Sequence, residues 1–260
     1  MNLILFEEAE TENPLKKRDA RTVHLLKTLH KKEGDEFDAG ILGGKLGKGR
    51  IEAFTGEGGV VFSLCLTVSP PPRLPVTVAA GFPRPIQTRR LLRDLSNMGV
   101  RAIHLVSCEL GDRNYLKTTL LSGGGARAAL IEGAVQARDT ALPELDVFSS
   151  VKDWLDKLPP EGGISVGGLA RIACDNVEPD GTFGEEPPGT GPFTLAVGPE
   201  RGWSDRERRR LADAGFRRLS LGCRALRTET ACVAAVSALA TAQARSACLR
   251  SLPQTPPAFS

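Results

Sequence analysis

The sequence predicts an α/β protein in which a parallel sheet with helices on both faces follows a small β-barrel domain. Three observations support this prediction. Short apolar runs alternate with Gly-rich turns over residues 1–69, as is typical of a small barrel. The segment Pro70-Pro-Pro-Arg-Leu-Pro75 then forms a stiff spacer, because proline continues neither a helix nor a sheet. Beyond it, strands alternate with helices, which indicates a parallel sheet.

Elements of the N-terminal region follow from its apolar runs. Ile51-Glu-Ala-Phe54 and Val60–Leu66 are predicted strands, and one helix is expected near Thr22–His30. The predicted boundaries are a barrel domain at 1–69, a linker at 70–75, a second domain at 76–251 and a disordered tail at 252–260.

Elements of the second domain alternate along the chain. Strands are predicted at Val76–Gly81, Ala102–Val106, Gly168–Ala173, Phe193–Val197 and Leu219–Leu221. Helices are predicted at Pro85–Met98, Ala126–Ala137, Ser149–Leu158, Asp205–Ala214 and Glu229–Cys248. The stretch Glu178–Pro192 is rich in Gly, Pro and acidic residues and is expected to be a mobile loop.

Composition is that of an ordinary globular protein. Of 260 residues, 41% are hydrophobic and 25% are charged, close to the average for globular domains. No apolar run approaches the roughly 20 residues that a membrane span requires. The N-terminus lacks the basic start and long apolar stretch of a signal peptide. We therefore expect a cytoplasmic protein without membrane contact.

Cysteine and histidine spacing argues against a metal site. Six cysteines are scattered without a Cys-x-x-Cys pair, and the three histidines have no Cys or His at ligand spacing. Scattered cysteines in a chain of this length are typical of small core residues kept reduced. The sequence therefore predicts neither a metal nor a disulfide framework.

Basic residues are clustered although the net charge is only +3. Ten Lys or Arg accompany five Asp or Glu between Asn13 and Arg50, and nine Arg accompany three acids between Arg201 and Arg227. Clusters of this kind bind phosphate backbones. An ordinary solvated surface is the alternative for either cluster taken alone.

Two loops at the ends of buried strands carry the most informative pattern. Val197-Gly-Pro-Glu-Arg-Gly202 precedes a helix capped by Ser204, and Leu221-Gly-Cys-Arg-Ala-Leu-Arg-Thr-Glu-Thr-Ala231 leads into the last helix. Glycine, which has no Cβ, lets the backbone approach a ligand or another segment closely. Thr228 is the expected N-cap, and Glu229 suits the positive end of the helix dipole. Open α/β sheets bind ligands where neighbouring strands end.

These loops resemble the motifs of the SPOUT methyltransferases, and most closely those of the RsmE-type 16S ribosomal RNA uracil-N3 methyltransferases. That family carries Gly-Pro-Glu-Gly-Gly-x-Ser-x-x-Glu, here Gly198–Glu207, and Leu-Gly-x-Arg-x-Leu-Arg-x-Glu-Thr-Ala, here Leu221–Ala231. The resemblance implies a trefoil-knotted domain that uses S-adenosylmethionine, behind a PUA-like RNA-binding β-barrel. It also implies a homodimer through the last helix. The small side chains of that helix suit close helix packing and equally suit a core position on the sheet.

Individual residues acquire expected roles from the resemblance. Arg201 stands where the family has Gly, and Val135-Gln-Ala-Arg-Asp139 departs from the family's Glu-Gln-x-x-Arg. Arg84 is expected to supply positive charge in a segment that is Lys-rich in the family, and an Arg84 that only faces solvent is the alternative. The cofactor-binding candidates are Leu195, Val197, Gly198, Pro199, Glu200, Gly202, Leu221, Gly222, Leu226 and Thr228. The catalytic candidates are Arg227 and Glu229, and the RNA-binding candidates are Arg84, Arg201, Arg224, Lys27, Lys31 and Arg50.

The implied reaction is methylation of N3 of one uridine near the decoding region of 16S RNA in the small ribosomal subunit. Because N3 lies on the Watson–Crick edge, the base must be unpaired or flipped out. Arg227 is expected to stabilise negative charge on the uracil oxygens, and Glu229 to remove the N3 proton or to orient Arg227. A structural ion pair between them is the alternative. Two other functions stay open: a SPOUT enzyme acting on transfer RNA or a ribose 2′-hydroxyl, and a non-catalytic RNA-binding or ribosome-assembly protein.

Overall fold

The computed structural model describes residues 3–159, 170–183 and 192–251. The chain divides into two compact units. The first comprises Met1–Arg73, Ser96–Gly99 and Arg127–Pro143, and the second comprises Leu74–Leu95, Val100–Ala126 and Glu144–Ser260. The tail predicted at 252–260 lies outside the described residues, as do the first two residues of the strand predicted at Gly168 and most of the loop predicted at 178–192. The domain boundaries stay predictions.

The N-terminal part of the first unit is built on a four-stranded sheet and one short helix. Its elements are β1 (Leu3–Phe6), a 3-10 turn (Glu8–Glu10), α1 (Ala20–Val23), a π turn (His24–Thr28), β2 (Glu36–Ile41), β3 (Leu46–Phe54) and β4 (Val60–Val68). The strand order is β1-β2-β3-β4. Strand β1 pairs with β2 in parallel, and the other pairs are antiparallel. The predicted strands are confirmed, and the predicted helix begins two residues earlier than expected, at Ala20.

Arg21 fixes the start of helix α1. The Asp19 carboxylate accepts a hydrogen bond from the Arg21 backbone N–H at 2.8 Å, which makes Asp19 the N-cap. The Arg21 guanidinium also pairs with Asp19 and Glu10 at 2.7 Å each. Hydrogen bonds from Arg21 hold the pKa of both carboxyls below their usual values. The guanidinium lies over the ring of Phe6, in the core of this unit.

The second unit contains a seven-stranded sheet in which every neighbouring pair is parallel. Its strands are β5 (Leu74–Gly81), β6 (Val100–Val106), β7 (Glu144–Phe148), β8 (Ala170–Cys174), β9 (Gly181–Thr182), β10 (Phe193–Val197) and β11 (Arg217–Ser220), in the order β7-β6-β5-β10-β8-β11-β9. All five predicted strands are present, whereas β7 and β9 were not predicted. The parallel pairing confirms the predicted α/β class.

Helices after the first unit's sheet are α2 (Pro85–Asn97), α3 (Thr119–Ser122), α4 (Gly125–Ala137), α5 (Val151–Asp156), α6 (Asp205–Asp213) and α7 (Thr228–Ser251), with a 3-10 turn at Arg113–Lys117. All five helices predicted in this region are present. Helix α5 is shorter than predicted at both ends, and at its start Ser150 is the N-cap, accepting from the Asp153 N–H. Among the described residues, no helix is both long and apolar enough to cross a membrane.

Contacts with strands β1 and β2 explain why segment 127–143 belongs to the first unit. Ala134 of α4 is fully buried in one apolar cluster with Leu3 and Leu5. Arg138 forms an ion pair with Asp38 at 2.5 Å. The sequence carries no local signal for this grouping, because Leu3, Leu5 and Asp38 lie 100 or more positions earlier in the chain.

The centre of the seven-stranded sheet determines where a ligand can bind. Strand β10 is buried along its whole length and lies between β5 and β8. Helix α7 packs on β5 and β10, with Cys232, Ala235, Val236 and Leu239 buried. The carboxyl ends of β5, β10, β8 and β11 therefore meet at one edge, where three loops and the start of α7 come together.

Candidate functional site

A cavity of about 210 Å³ lies at the carboxyl ends of β8 and β10. Three segments line it, 174–177, 197–203 and 221–231, the last with gaps, together with Arg208 of α6. Two of them are the loops singled out in the sequence. The segment after β8 was not predicted to take part, and its only sequence signal is that polar residues follow a buried strand there.

Gly81 and Gly198 lie where neighbouring segments approach their backbone too closely for a side chain to fit without a shift. A Cβ on Gly81, the last residue of β5, would lie 2.4 Å from the backbone nitrogen of Pro199. A Cβ on Gly198 would lie 3.2 Å from the Gly202 carbonyl carbon and 3.3 Å from the ring of Trp203. A side chain at Gly81 would therefore push the loop after β10 away from β5.

Thr228 joins the two predicted loops. Its hydroxyl donates to the Gly198 carbonyl at 3.0 Å, and the residue is only 2% exposed. The expectation that Thr228 is the N-cap of α7 is wrong by one position, because Thr228 is the first helical residue and the Arg227 carbonyl accepts from the Ala231 N–H at 2.8 Å. The hydroxyl is thus used for a tertiary contact between the loops.

The cap of α6 is the one predicted. Ser204 Oγ accepts from the Glu207 N–H at 3.1 Å, and the Glu207 carboxylate accepts from the Ser204 N–H at 2.9 Å, which is a capping box. The buried Glu207 also accepts from the Glu109 N–H at 2.8 Å. This carboxylate holds the loop after β6 against the start of α6.

Segment 174–177, which was not predicted to line the cavity, is held in place by two polar contacts. Trp203 Nε1 donates to the Cys174 carbonyl at 3.1 Å. Arg208 of α6 donates through Nε to the buried Asp175 at 2.7 Å, and the hydrogen bond raises the pKa of the guanidinium above its usual value. Burial raises the pKa of the Cys174 thiol to about 12. This cavity-lining cysteine is therefore a neutral thiol and not a nucleophile.

A second cavity of about 630 Å³ shares Glu200 and Arg201 with the first. Four guanidiniums line it, those of Arg84, Arg113, Arg201 and Arg227. None of the four forms an ion pair with any residue in the described part of the chain. Three carboxylates, those of Asp112, Glu200 and Glu229, line the cavity as well. The lining keeps a small excess of positive charge, which suits an anionic ligand.

The second cavity is also lined by side chains that can stack and form hydrogen bonds. Tyr115, half-buried in the 3-10 turn, supplies an aromatic ring, and Gln87 of α2 supplies an amide. Glu229, half-buried in the first turn of α7, supplies a carboxylate. The sequence motifs did not indicate Gln87, Arg113 or Tyr115. These residues lie in α2 and in the 3-10 turn, and only the folded chain brings those elements to the site.

Most of the residues predicted to bind the cofactor line the first cavity, and the two predicted catalytic residues line the second. Leu195 is fully buried within β10 and does not line the first cavity. Arg227 and Glu229 line the second cavity only. The first cavity is lined by Val197, Gly198, Pro199, Glu200, Gly202, Leu221, Leu226 and Thr228, and also by Arg201 and Arg224. Gly222 is not among its lining residues.

Three further RNA-binding candidates lie in the first unit. Lys27 is in the π turn and exposed, Lys31 follows it and is half-buried, and Arg50 is exposed on β3. Among the described residues, no group of His, Cys, Asp and Glu is arranged to hold a metal ion. Two cysteines, Cys65 and Cys223, are exposed, which differs from the expected core positions.

The sequence of this chain is similar to those of known RNA methyltransferases. A family model described as "RNA methyltransferase domain" matches residues 70–240. The Ribosomal RNA small subunit methyltransferase E of Treponema pallidum is 37% identical over 248 residues, which cover 94% of this chain and 92% of that protein.

Solved structures share the fold at lower identity. A probable rRNA-methyltransferase from Porphyromonas gingivalis superposes with a TM-score of 0.75 at 20% identity, covering 95% of this chain and 100% of that one. A ribosomal RNA small subunit methyltransferase E from Neisseria gonorrhoeae, bound to S-adenosyl methionine, gives a TM-score of 0.69 at 20% identity, covering 93% and 97%. Likeness at this identity concerns the fold alone, and it agrees with the predicted α/β class behind a small β domain. The knot stays a prediction.

Proposed function

This chain belongs to the RNA methyltransferase family whose model it matches, and we propose that it transfers a methyl group from S-adenosylmethionine to N3 of one uridine in 16S ribosomal RNA, near the decoding region. The observation that carries the proposal is the pairing of two cavities at one sheet edge. One is lined by glycine-rich backbone, and the other by four unpaired arginines and three carboxylates, among them Glu229. They share Glu200 and Arg201, so a donor and an acceptor bound in them would be neighbours.

The residues of the first cavity fit S-adenosylmethionine, which is also the ligand of the Neisseria gonorrhoeae relative. Gly198 keeps backbone edges free of side chains, and Val197, Leu221 and Leu226 offer apolar surface for adenine. When bound, S-adenosylmethionine supplies an activated methyl group. The task of the chain is to hold the donor and the acceptor in line and to keep the loops fixed through Thr228.

The second cavity is the proposed site of the extruded uridine. Tyr115 provides a surface on which a base can stack, as aromatic side chains do for unpaired RNA bases. Arg227 stabilises the negative charge that the uracil oxygens gain when N3 loses its proton. Glu229, next in line on α7, takes that proton or orients Arg227. Both side chains line the cavity without a carboxylate–guanidinium pair between them among the described contacts.

Phosphate contacts are proposed for the remaining basic residues. Arg84, Arg201 and Arg224 surround the two cavities, and Lys27, Lys31 and Arg50 extend the contacts to the first unit. Contacts of this kind raise affinity without reading sequence, and they weaken as salt rises. Binding to small-subunit RNA should therefore show a steep salt dependence that flattens when these residues are replaced.

The test of the proposal uses small ribosomal subunits from a strain that lacks the gene. Purified protein is added with S-adenosylmethionine carrying a labelled methyl group, and incorporation into 16S RNA is followed for wild type and Arg227→Ala. About one methyl group per subunit is expected for wild type, with turnover reduced at least 100-fold in the variant. Full turnover by Arg227→Ala would contradict the electrostatic role of this residue.

Two outcomes would instead favour the other functions. Label on transfer RNA or on a ribose 2′-hydroxyl indicates a SPOUT enzyme of different specificity. Absence of S-adenosylmethionine binding indicates a non-catalytic RNA-binding or ribosome-assembly protein. A calorimetric titration with S-adenosylmethionine separates the second outcome from the first.

We further propose a metal-independent cytoplasmic homodimer. Support comes from α7, whose partly exposed positions Val233, Ala234 and Ala238 carry small side chains that allow another helix to approach. Light scattering of the purified protein tests the state directly, since a monomer and a dimer differ twofold in mass. Substituting Ala234 with Arg should dissociate the dimer if α7 forms the interface.

A further inference from the structure

Gln87 carries a buried acceptor that the described structure leaves without a partner. It lies in the first turn of α2 and lines the second cavity together with Arg227 and Glu229. Its amide oxygen Oε1 is buried and accepts no hydrogen bond from any residue in the described part of the chain. A buried acceptor without a donor costs about 1–3 kcal/mol, so such an atom at a ligand cavity points to a donor on the ligand.

The backbone that carries Gln87 is held firmly. The next residue, Thr88, is fully buried, and its hydroxyl donates to the Pro83 carbonyl at 2.9 Å. The start of α2 is therefore fixed relative to the end of β5, and the Gln87 amide can move only through its own torsions. In the described part of the chain the Gln87 amide makes no side-chain hydrogen bond, so turning it to bring Oε1 to the cavity breaks none.

The chemistry of a uridine nucleotide limits what that donor can be. Within an RNA chain, uridine offers two hydrogen-bond donors, N3–H and the ribose 2′-hydroxyl. Under the function proposed above, on which this inference rests, N3 is the atom that loses its proton and receives the methyl group. The remaining donor is the 2′-hydroxyl.

We propose that Gln87 accepts a hydrogen bond from the 2′-hydroxyl of the target nucleotide and thereby makes the enzyme prefer ribose to deoxyribose at that position. Arg227 and Glu229 act on the base, whereas Gln87 holds the sugar. Gln87 is thus a specificity-determining residue that leaves the chemistry at N3 to others. Its effect should depend on the presence of one hydroxyl group in the substrate.

The experiment pairs a change in the protein with a change in the RNA. Once the methylated uridine has been located, 16S RNA is joined from fragments with either uridine or 2′-deoxyuridine at that nucleotide and assembled into small subunits. The value of kcat/KM is measured on both substrates for wild type, Gln87→Met and Gln87→Glu. Methionine keeps the length of the side chain without an acceptor, and glutamate keeps an acceptor. Arg90→Met, an exposed change on the same helix, serves as the control.

Wild type is expected to lose about tenfold in kcat/KM on the deoxy substrate, the loss of one hydrogen bond to a neutral acceptor. Gln87→Met should lose about the same on the ribose substrate and nothing further on the deoxy substrate. Gln87→Glu and Arg90→Met should keep the preference for ribose. The stability of Gln87→Met toward urea should equal or exceed that of wild type, because a buried unpaired oxygen has been removed.

Two results would overturn the inference. One is equal activity of wild type on both substrates. The other is a Gln87→Met variant that is slower on both while the ratio between them is unchanged, as a merely structural role predicts. In both cases methylation of the ribose substrate by wild type leaves the proposed function intact. Failure of wild type to methylate the ribose substrate would contradict the proposed function, and the inference with it.

Discussion

Replacing Arg208 with Met should loosen the first cavity and weaken binding of S-adenosylmethionine. Arg208 Nε lies 2.7 Å from Asp175 Oδ2, and the side chains are 16% and 5% exposed. Removing one partner of a buried ion pair costs about 3–5 kcal/mol, because the other charge is left without compensation. Asp175 keeps a hydrogen bond from the Val177 N–H at 3.1 Å, which places the expected loss near the lower limit, at about 3 kcal/mol.

The affinity for S-adenosylmethionine should fall as well. Asp175 and Arg208 both line the first cavity, so the ion pair holds two of its walls at a fixed separation. Loss of this preorganisation is expected to weaken binding by about tenfold, equivalent to about 1.4 kcal/mol. Urea unfolding followed by circular dichroism measures the first effect, and isothermal titration calorimetry measures the second.

Two further variants control this prediction. Arg209→Met removes a charge from an exposed position of the same helix and should change the free energy of unfolding by less than about 0.5 kcal/mol. The double variant Asp175→Asn/Arg208→Met removes both charges and should recover more than half of the lost stability. The reasoning is refuted if Arg208→Met is as stable as wild type, or if the double variant loses the sum of both single changes.

Three further predictions concern other parts of the second unit. Thr228→Val leaves the Gly198 carbonyl without its hydroxyl donor and should lower the free energy of unfolding by about 1–2 kcal/mol in urea; Thr228→Ser should restore most of it, and equal losses would argue against the hydrogen bond. Gly81→Ala places a methyl group 2.4 Å from the Pro199 nitrogen, so calorimetry should show at least about tenfold weaker binding of S-adenosylmethionine; unchanged affinity would contradict the close contact. Burial lowers the pKa of His104 below its usual 6.5, so its contribution to stability is complete above pH 6.5 and is lost as pH falls through the lowered pKa. Urea midpoints of His104→Gln should accordingly fall less steeply with acid than those of wild type, and parallel curves would refute this assignment.

The order and type of most elements could be predicted from sequence because apolar runs mark the buried strands. Strand β10, Phe193–Val197, is buried at every position and was predicted at those bounds. Strand β7, Glu144–Phe148, was missed because most of its residues are exposed and the apolar signal is weak. Strand β9 has only two residues, Gly181 and Thr182, and gains its structure from pairing with β11. Pairing of this kind is not encoded locally.

The sequence predicts those parts of the candidate site that belong to contiguous motifs. It does not predict the residues that only the strand order of the sheet brings together. Gly198 and Thr228 belong to motifs that can be recognised in the sequence, and they are joined by a hydrogen bond. Asp175 reaches the cavity because β8 lies between β10 and β11, an arrangement of strands far apart in the chain. Gln87 and Tyr115 lie more than 80 positions from Arg227 in sequence, yet they line one cavity with it.

The most direct test of the central claim is to identify the atom that receives the methyl group. Small subunits from a strain lacking the gene are incubated with the protein and S-adenosylmethionine carrying a deuterated methyl group, and the 16S RNA is digested to nucleosides for chromatography and mass spectrometry. Labelled 3-methyluridine from a single position is the predicted result. Label in a 2′-O-methyl nucleoside, in another base, or in no small-subunit nucleoside while S-adenosylmethionine binds would contradict the account.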